Sequence, residues 1–140
     1  AMDRVKVIIE SGGERKSSGR VIMGTVKGDI HDLGKNIVIT LLECAGYEVV
    51  DLGVDVPPEK FVDAMKNSPA AMIGLSGLIT TAFDAMKETV EALKQAGLRD
   101  SVKIMIGGGP TNDKVREYVE ADFYGPDATS AVDLAKSLIC

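Results

Sequence analysis

Residues 21–36 read Val21-Ile22-Met23-Gly24-Thr25-Val26-Lys27-Gly28-Asp29-Ile30-His31-Asp32-Leu33-Gly34-Lys35-Asn36. Val21 to Val26 is a β-branched-rich run between Gly19 and Gly28, which predicts a buried strand. After a polar loop, Ile37, Val38, Leu41, Leu42 and Ala45 recur at helical spacing, predicting a helix over 34–45 with Gly46 as its stop. Strand, loop and helix form one unit, and the rest of the chain repeats it.

Tyr47 to Leu52 is the next strand. Pro57 and Pro58 suit a helix start, with Phe61, Val62, Ala64 and Met65 on its buried face before Pro69. Ala71 to Leu75 is a third strand. Thr80 or Thr81 can cap a longer helix that turns Phe83, Met86, Val90 and Leu93 inward and closes at Gly97. Val102 to Ile106 is a fourth strand. The glycines at 107–109 lead into a helix around Asp113 to Glu120, a short strand near Ala121 to Tyr124, and a last helix with Ala128, Ala131, Val132, Ala135 and Leu138 inward. Alternation of this kind predicts an α/β fold, a Rossmann-like or flavodoxin-like doubly wound five-stranded parallel sheet with helices on both faces. Such sheets bind ligands beyond the carboxyl ends of their strands, so the loops Lys27 to Lys35, Ser76 to Thr81 and Gly107 to Thr111 are where chemistry is expected.

The 140 residues suit a single domain, with 45% hydrophobic and 26% charged residues, an ordinary globular composition. The net charge is -5, and no basic stripe could neutralise a phosphate backbone, so nucleic acid is not an expected partner. The longest apolar stretch, Ala70 to Ile79, is broken by Gly74, Ser76 and Gly77 and is too short to cross a bilayer. With no signal peptide in view, no membrane association and a cytoplasmic location are expected. Cys44 and Cys140 lie in no zinc-type spacing. Met65, Met72, Met86 and Met105 fit core gap-filling, and Asp84, Glu88 and Glu91 a solvated helix face. With three Tyr, three Phe and no Trp, a large planar ligand must be held by backbone, aliphatic groups and hydroxyls. Residues 1–20 stand outside the sheet pattern. Met2, Val5 and Ile8 or Ile9 suggest a helix stub followed by a polar linker, leaving 21–140 as the binding domain.

The first loop superficially resembles a phosphate loop, but its glycine spacing is one residue too long. Asn36 replaces the magnesium-binding hydroxyl, and Asp29 and Asp32 would repel phosphate from the helix start. No GxGxxG follows the first strand, which removes the dinucleotide reading. A phospho-receiver would need an acceptor Asp at the end of the third strand, where Ser76 stands. What remains is His31, the chain's one histidine. The bland reading is a solvated loop residue. The functional one has Asp29, two residues away, accept the Nδ1 proton and leave Nε2 outward as a base or metal ligand. A single imidazole cannot close a zinc site. A metal held by one protein ligand must bring its others with it, as a macrocycle does.

Gly28-Asp29-Ile30-His31-Asp32-Leu33-Gly34, with Ser76-Gly77-Leu78 and Gly107-Gly108, resembles the Asp-x-His-x-x-Gly, Ser-x-Leu and Gly-Gly signature of cobalamin-binding domains. The likeness runs from about Gly24 to Val132 and is closer to methionine synthase and methyltransferase corrinoid proteins than to the mutases. The resemblance implies His31 as the lower axial ligand of cobalt in a base-off, His-on state, oriented by Asp29. It implies contact with the cofactor through Gly28, Ile30, Asp32 and Gly34, and a slot for the displaced nucleotide tail lined by Ser76, Leu78, Thr80, Gly107, Gly108 and Ala128. In methionine synthase a serine two residues past the position of Thr80 completes a His-Asp-Ser relay. Ala82 stands there in this chain, so Asp29 needs another donor, such as Thr81 or water. The implied activity is a corrinoid methyl carrier cycling between cob(I)alamin and methylcobalamin, not a complete enzyme alone. Its partners would be methyltransferases that donate and accept the methyl group, with a reductive activation partner possible. In those carriers a helical module precedes the cobalamin domain and caps the cofactor, so residues 1–20 are expected to be the end of it. Two alternatives accompany this reading: the cobalamin subunit or domain of an adenosylcobalamin-dependent mutase, and a cobalamin-sensing regulatory domain.

Overall fold

The computed structural model describes residues 19–108, 111–125 and 128–139. Five parallel strands alternate with helices: β1 (Arg20–Thr25), α1 (Leu33–Cys44), β2 (Glu48–Asp51), α2 (Pro58–Asn67), β3 (Met72–Ser76), α3 (Thr81–Gln95), β4 (Lys103–Gly107), α4 (Asp113–Val119), β5 (Phe123–Tyr124) and α5 (Ala128–Ile139). The strand order is β2-β1-β3-β4-β5, the flavodoxin-like winding expected from the alternation. Residues 1–18, expected to be a helix stub and linker, lie outside the described residues. Arg20, assigned to that linker, instead opens β1 and pairs with Glu48.

The winding reverses between β1, whose chain leaves toward β2, and β3, which starts the run toward β5. The loops after β1 and β3 therefore flank one crevice at the carboxyl edge of the sheet. Register aligns three strands there: Met23, Gly74 and Met105 form one row across β1, β3 and β4, and Thr25, Ser76 and Gly107 the next.

Period-2 alternation sends these rows to one face and Ile22, Val26, Ile73, Leu75, Ile104 and Ile106 to the other. The second face packs against α2, α3 and α4 through Phe61, Met65, Met86, Val90, Leu93 and Val119, all buried. The first face is covered by α1 and α5 through Ile39, Leu42, Ala131, Val132 and Ala135. The methionines at 65, 72, 86 and 105 are buried as expected. On the surface, Asp84 is not merely solvated: the Tyr118 hydroxyl donates to it at 2.5 Å, and the Lys87 ammonium sits 4.7 Å from that ring's centre.

One helix departs from its expected phase. Ile37, Leu41 and Ala45 are exposed, while Lys35, Ile39 and Leu42 are buried. The residues Leu33, Ile37 and Leu41, spaced by four, form a second apolar stripe beside the core stripe, and periodicity alone cannot tell which of two adjacent stripes faces the sheet.

Candidate functional site

β1 ends at Thr25, and the chain turns at once: the Asp29 amide donates to the Val26 carbonyl at 3.1 Å, through Gly28 at φ +87°. The turn folds Asp29 under the loop, where it is 1% exposed. All four of its strongest contacts are hydrogen bonds it accepts. Oδ1 takes the His31 amide at 2.9 Å and the His31 Nδ1–H at 2.7 Å, while Oδ2 takes the amides of Leu78 at 2.7 Å and Ile79 at 3.3 Å. Burial alone would raise its pKa. The bonds from the His31, Leu78 and Ile79 amides and from the imidazole outweigh that and hold it below the usual carboxylate range. An ionised Asp29 can only accept, so Nδ1 is the donor, and the tautomer this selects has its lone pair on Nε2. The His31 side chain is half exposed, and Nε2 has no partner among the described residues.

The missing relay serine is thereby accounted for. Ala82 is fully buried at the start of α3, and Thr81 makes no bond to Asp29. The second carboxylate oxygen is held by backbone amides of the β3–α3 turn instead. A Cβ at Gly77 would sit 2.6 Å from the Ala82 Cβ, so a small residue at each position lets the turn close over Asp29.

Beside His31 opens a cavity of about 250 Å³ between α1, α5 and the carboxyl ends of β1, β3 and β4. Its lining includes the expected His31, Gly34, Ser76, Leu78, Gly107 and Gly108, together with Met23, Lys35, Ile37, Val38, Gly74, Leu75, Met105 and Ala131. Gly108 is dictated by the fold as well: at φ +135° its Cβ would lie 1.8 Å from the Gly77 carbonyl oxygen. At Gly107 a Cβ would meet only an ordinary contact, and at Gly34 open space. Gly28, Ile30, Asp32 and Thr80 do not line the cavity. Gly28 shapes the turn, Asp32 precedes α1 and accepts the Asn36 amide at 2.8 Å through its carbonyl, and Thr80 precedes α3 on the surface. Ala128 opens α5, and its side chain lies outside the described residues.

Three features were not anticipated. Beside the expected Ile30, 74% exposed, and Leu78, three further apolar side chains lie open on the segments that follow β1, β2 and β3: Leu33 at 73%, Val54 and Ile79. Asp55 clamps the loop: its Oδ1 accepts the Gly28 amide at 2.8 Å and its own amide donates to the Asp29 carbonyl at 2.9 Å. It does so at φ +53°, a left-handed conformation that Asp tolerates better than most residues. Lys35, 3% exposed, donates to Asp51 Oδ1 at 2.9 Å and Asn36 Oδ1 at 2.8 Å. Backbone donors leave no mark in a sequence, but the αL-tolerant Asp after Gly53-Val54 was a usable signal for the clamp.

These parts fit a base-off corrinoid. A half-exposed imidazole with a fixed tautomer can ligate one axial position, an apolar ring can seat a broad macrocycle, and a glycine-lined slot can take a detached tail. A parallel sheet with its ligand groups gathered at the β1/β3 reversal defines a doubly wound α/β cofactor-binding domain. Residues 19–133 match the family described as B12 binding domain, and the chain belongs to that family. Its cofactor is a cobalamin.

Dimethylamine corrinoid protein 3 of Methanosarcina mazei is 43% identical over 138 residues, covering 99% of this chain and 83% of that protein. A cobalamin-binding protein of Desulfitobacterium hafniense DCB-2 superposes with a TM-score of 0.86 at 43% identity, over 87% of this chain and 60% of that one. The methanol:cobalamin methyltransferase complex MtaBC of Methanosarcina barkeri gives 0.83 at 36% identity, over 92% and 49%. The chain thus spans about half to three fifths of these two structural relatives.

Proposed function

We propose that the chain is the cobalamin-holding part of a corrinoid methyl carrier. The observation that carries this reading is the His31 imidazole, half exposed at the mouth of the slot with Nδ1 bound to the buried Asp29. Relatives named as corrinoid proteins of the dimethylamine type, and the MtaBC complex, favour the methyl carrier over the mutase and regulatory alternatives.

When bound, the cofactor supplies a cobalt that takes a methyl cation from a donor and yields it to an acceptor. The chain's own residues do the rest. His31 Nε2 would hold the cobalt, and Asp29 would keep the proton on Nδ1 and the ring in one orientation. Thr25 Oγ–H donates to the His31 carbonyl at 2.9 Å and fixes the loop backbone. Ile30, Leu33, Leu78 and Ile79 would exclude water from the bound macrocycle, and the cavity over Met23, Gly74 and Met105 would take the nucleotide tail. Partner methyltransferases would supply and remove the methyl group, and a reductive partner would return the metal to its methyl-accepting state. Among the described residues no helix is long and apolar enough to cross a membrane.

Electron paramagnetic resonance of the Co(II) form tests the ligation. Imidazole superhyperfine splitting is expected in the wild type and absent in His31→Ala. Splitting that survives in His31→Ala overturns the assignment.

A further inference from the structure

We propose that Met23 and Met105 form an adjustable floor of the tail slot and set which nucleotide bases it admits, the ligands being cobamides whose lower base is a flat heterocycle. The inference rests on the tail-slot reading above.

Met23, Gly74 and Met105 lie side by side in register on the slot face. A Cβ built on Gly74 would lie 2.3 Å from Met23 Sδ, 3.0 Å from Met23 Cε and 3.7 Å from Met105 Cε. The Met23 thioether therefore occupies the space that Gly74 leaves. Met105 Sδ in turn comes within 3.2 Å of the Cβ position at Gly125. Both methionines are nearly buried yet line the cavity. An unbranched thioether turns about three side-chain bonds and keeps good contacts in several of the resulting shapes. A ring entering the slot can displace sulfur and methyl without moving the backbone.

No Phe, Tyr or Trp lines the cavity among the described residues, so ring contact falls to aliphatic side chains and to the two sulfurs, which pack favourably on aromatic edges. Polar recognition is sparse. Lys35 has its ammonium committed to Asp51 and Asn36, His31 stands at the mouth, and Ser76 is the one hydroxyl in the lining among the described residues. Such a slot reads the thickness and outline of a base rather than its hydrogen-bonding pattern. In an apolar pocket, one methylene more or less changes selectivity about 10–200-fold. A floor that repacks reduces that penalty.

The test measures affinities of the 140-residue chain for cobamides carrying benzimidazole, 5,6-dimethylbenzimidazole and adenine, and for cobinamide, which has no tail. The wild type is expected to bind the three cobamides within about tenfold of one another. Met23→Ile, whose β-branch cannot swing off Gly74, should widen that spread by a further factor of about ten, in favour of the smallest base. Met105→Leu should widen it less. If Met23→Ile fails to give a cooperative apo unfolding transition, Met23→Leu with Met105→Leu carries the comparison. Cobamides weakened equally by these variants, or spread over more than about a hundredfold in the wild type, overturn the floor while leaving the slot intact if cobinamide still binds more weakly. Cobinamide binding as tightly as the cobamides overturns the slot reading itself.

Discussion

Gly24 and Gly74 stand on neighbouring strands, and each leaves a void that another side chain fills, but on opposite faces of the sheet. At Gly24 a Cβ would meet the Phe61 ring at 2.9 Å; at Gly74 it would meet the Met23 sulfur at 2.3 Å. Phe61 is fully buried among α2, α3 and the sheet, and its rigid ring closes that face. Met23 is flexible and lies along an open cavity. The sheet therefore divides the labour: the α2–α3–α4 side is packed for stability, and the α1–α5 side gives up packing near its carboxyl edge to keep a slot.

The sharpest way to break that division is Phe61→Ala. Removing a fully buried ring leaves a cavity and should cost about 3–5 kcal/mol of stability, read as a shift in urea midpoint. Cobalamin affinity per folded molecule should stay unchanged. An equal loss of affinity would show that the two faces are not separable.

Asp29 joins the faces, since its carboxylate ties the His31 loop to the turn that opens α3. Asp29→Asn should lose about 1.5–3 kcal/mol of apo stability, because charge-assisted bonds from four donors weaken together. The pH dependence has a definite sign. The folded pKa lies below the usual carboxylate value, so the wild-type advantage is fully present above the unfolded pKa of about 3.9 and shrinks as pH falls through the folded value. Urea midpoints of both proteins near pH 6 and near pH 3 check this, and a gap that grows in acid contradicts it. If His31 ligates the cobalt as proposed, the same variant should weaken that bond in the loaded protein, and the Co(II)/Co(I) midpoint should become less negative. The bond energy caps that change at roughly 65–130 mV, and spectroelectrochemical titration reads it.

The sequence reading recovered the parts governed by side-chain pattern. Five units, their order of appearance and the loop that gathers Asp29 and His31 follow from apolar runs, glycine stops and one histidine. It missed what depends on backbone and on neighbours. The cradle for Asp29 consists of the Leu78 and Ile79 amides, which every sequence contains, so Ala82 looked like a lost relay member when the turn itself supplies the donors. In α1 the stripe Leu33-Ile37-Leu41 obeys helical spacing as well as the core stripe does. The helix borders both the core and the ligand site, so apolar periodicity marks two faces at once. Lys35, in the loop that resembles a phosphate loop, is buried because Asp51 at the end of β2 compensates its charge.

Asp55 offers a finer test of how the site is held. Asp55→Ala removes the acceptor for the Gly28 amide and places a side chain poorly suited to φ +53°, which should cost about 1 kcal/mol. The more telling readout is the fraction of Co(II) carrying an imidazole by electron paramagnetic resonance, which should fall. Asp55→Asn keeps both an acceptor and left-handed tolerance and should restore it. An unaltered His-on fraction in Asp55→Ala would reduce the clamp to an ordinary surface bond.

The smallest change in stability is expected at Gly34, and there the two properties should move in opposite directions. Gly34 lies in the first turn of α1 without a positive φ, and nothing comes within 4 Å of its Cβ position. Gly34→Ala should therefore stabilise the apo protein by about 0.4–1 kcal/mol, because the unfolded chain loses freedom that the helix never used. Yet Gly34 lines the cavity, and the open space beside it is the space assigned to the cofactor. The added methyl should lower cobalamin affinity by a factor on the order of ten. A variant that melts higher and binds more weakly separates the needs of the site from those of the helix. A variant that melts higher and binds as well as the wild type would move the cofactor's path away from the first turn of α1, toward the Ser76 and Gly107 side of the slot.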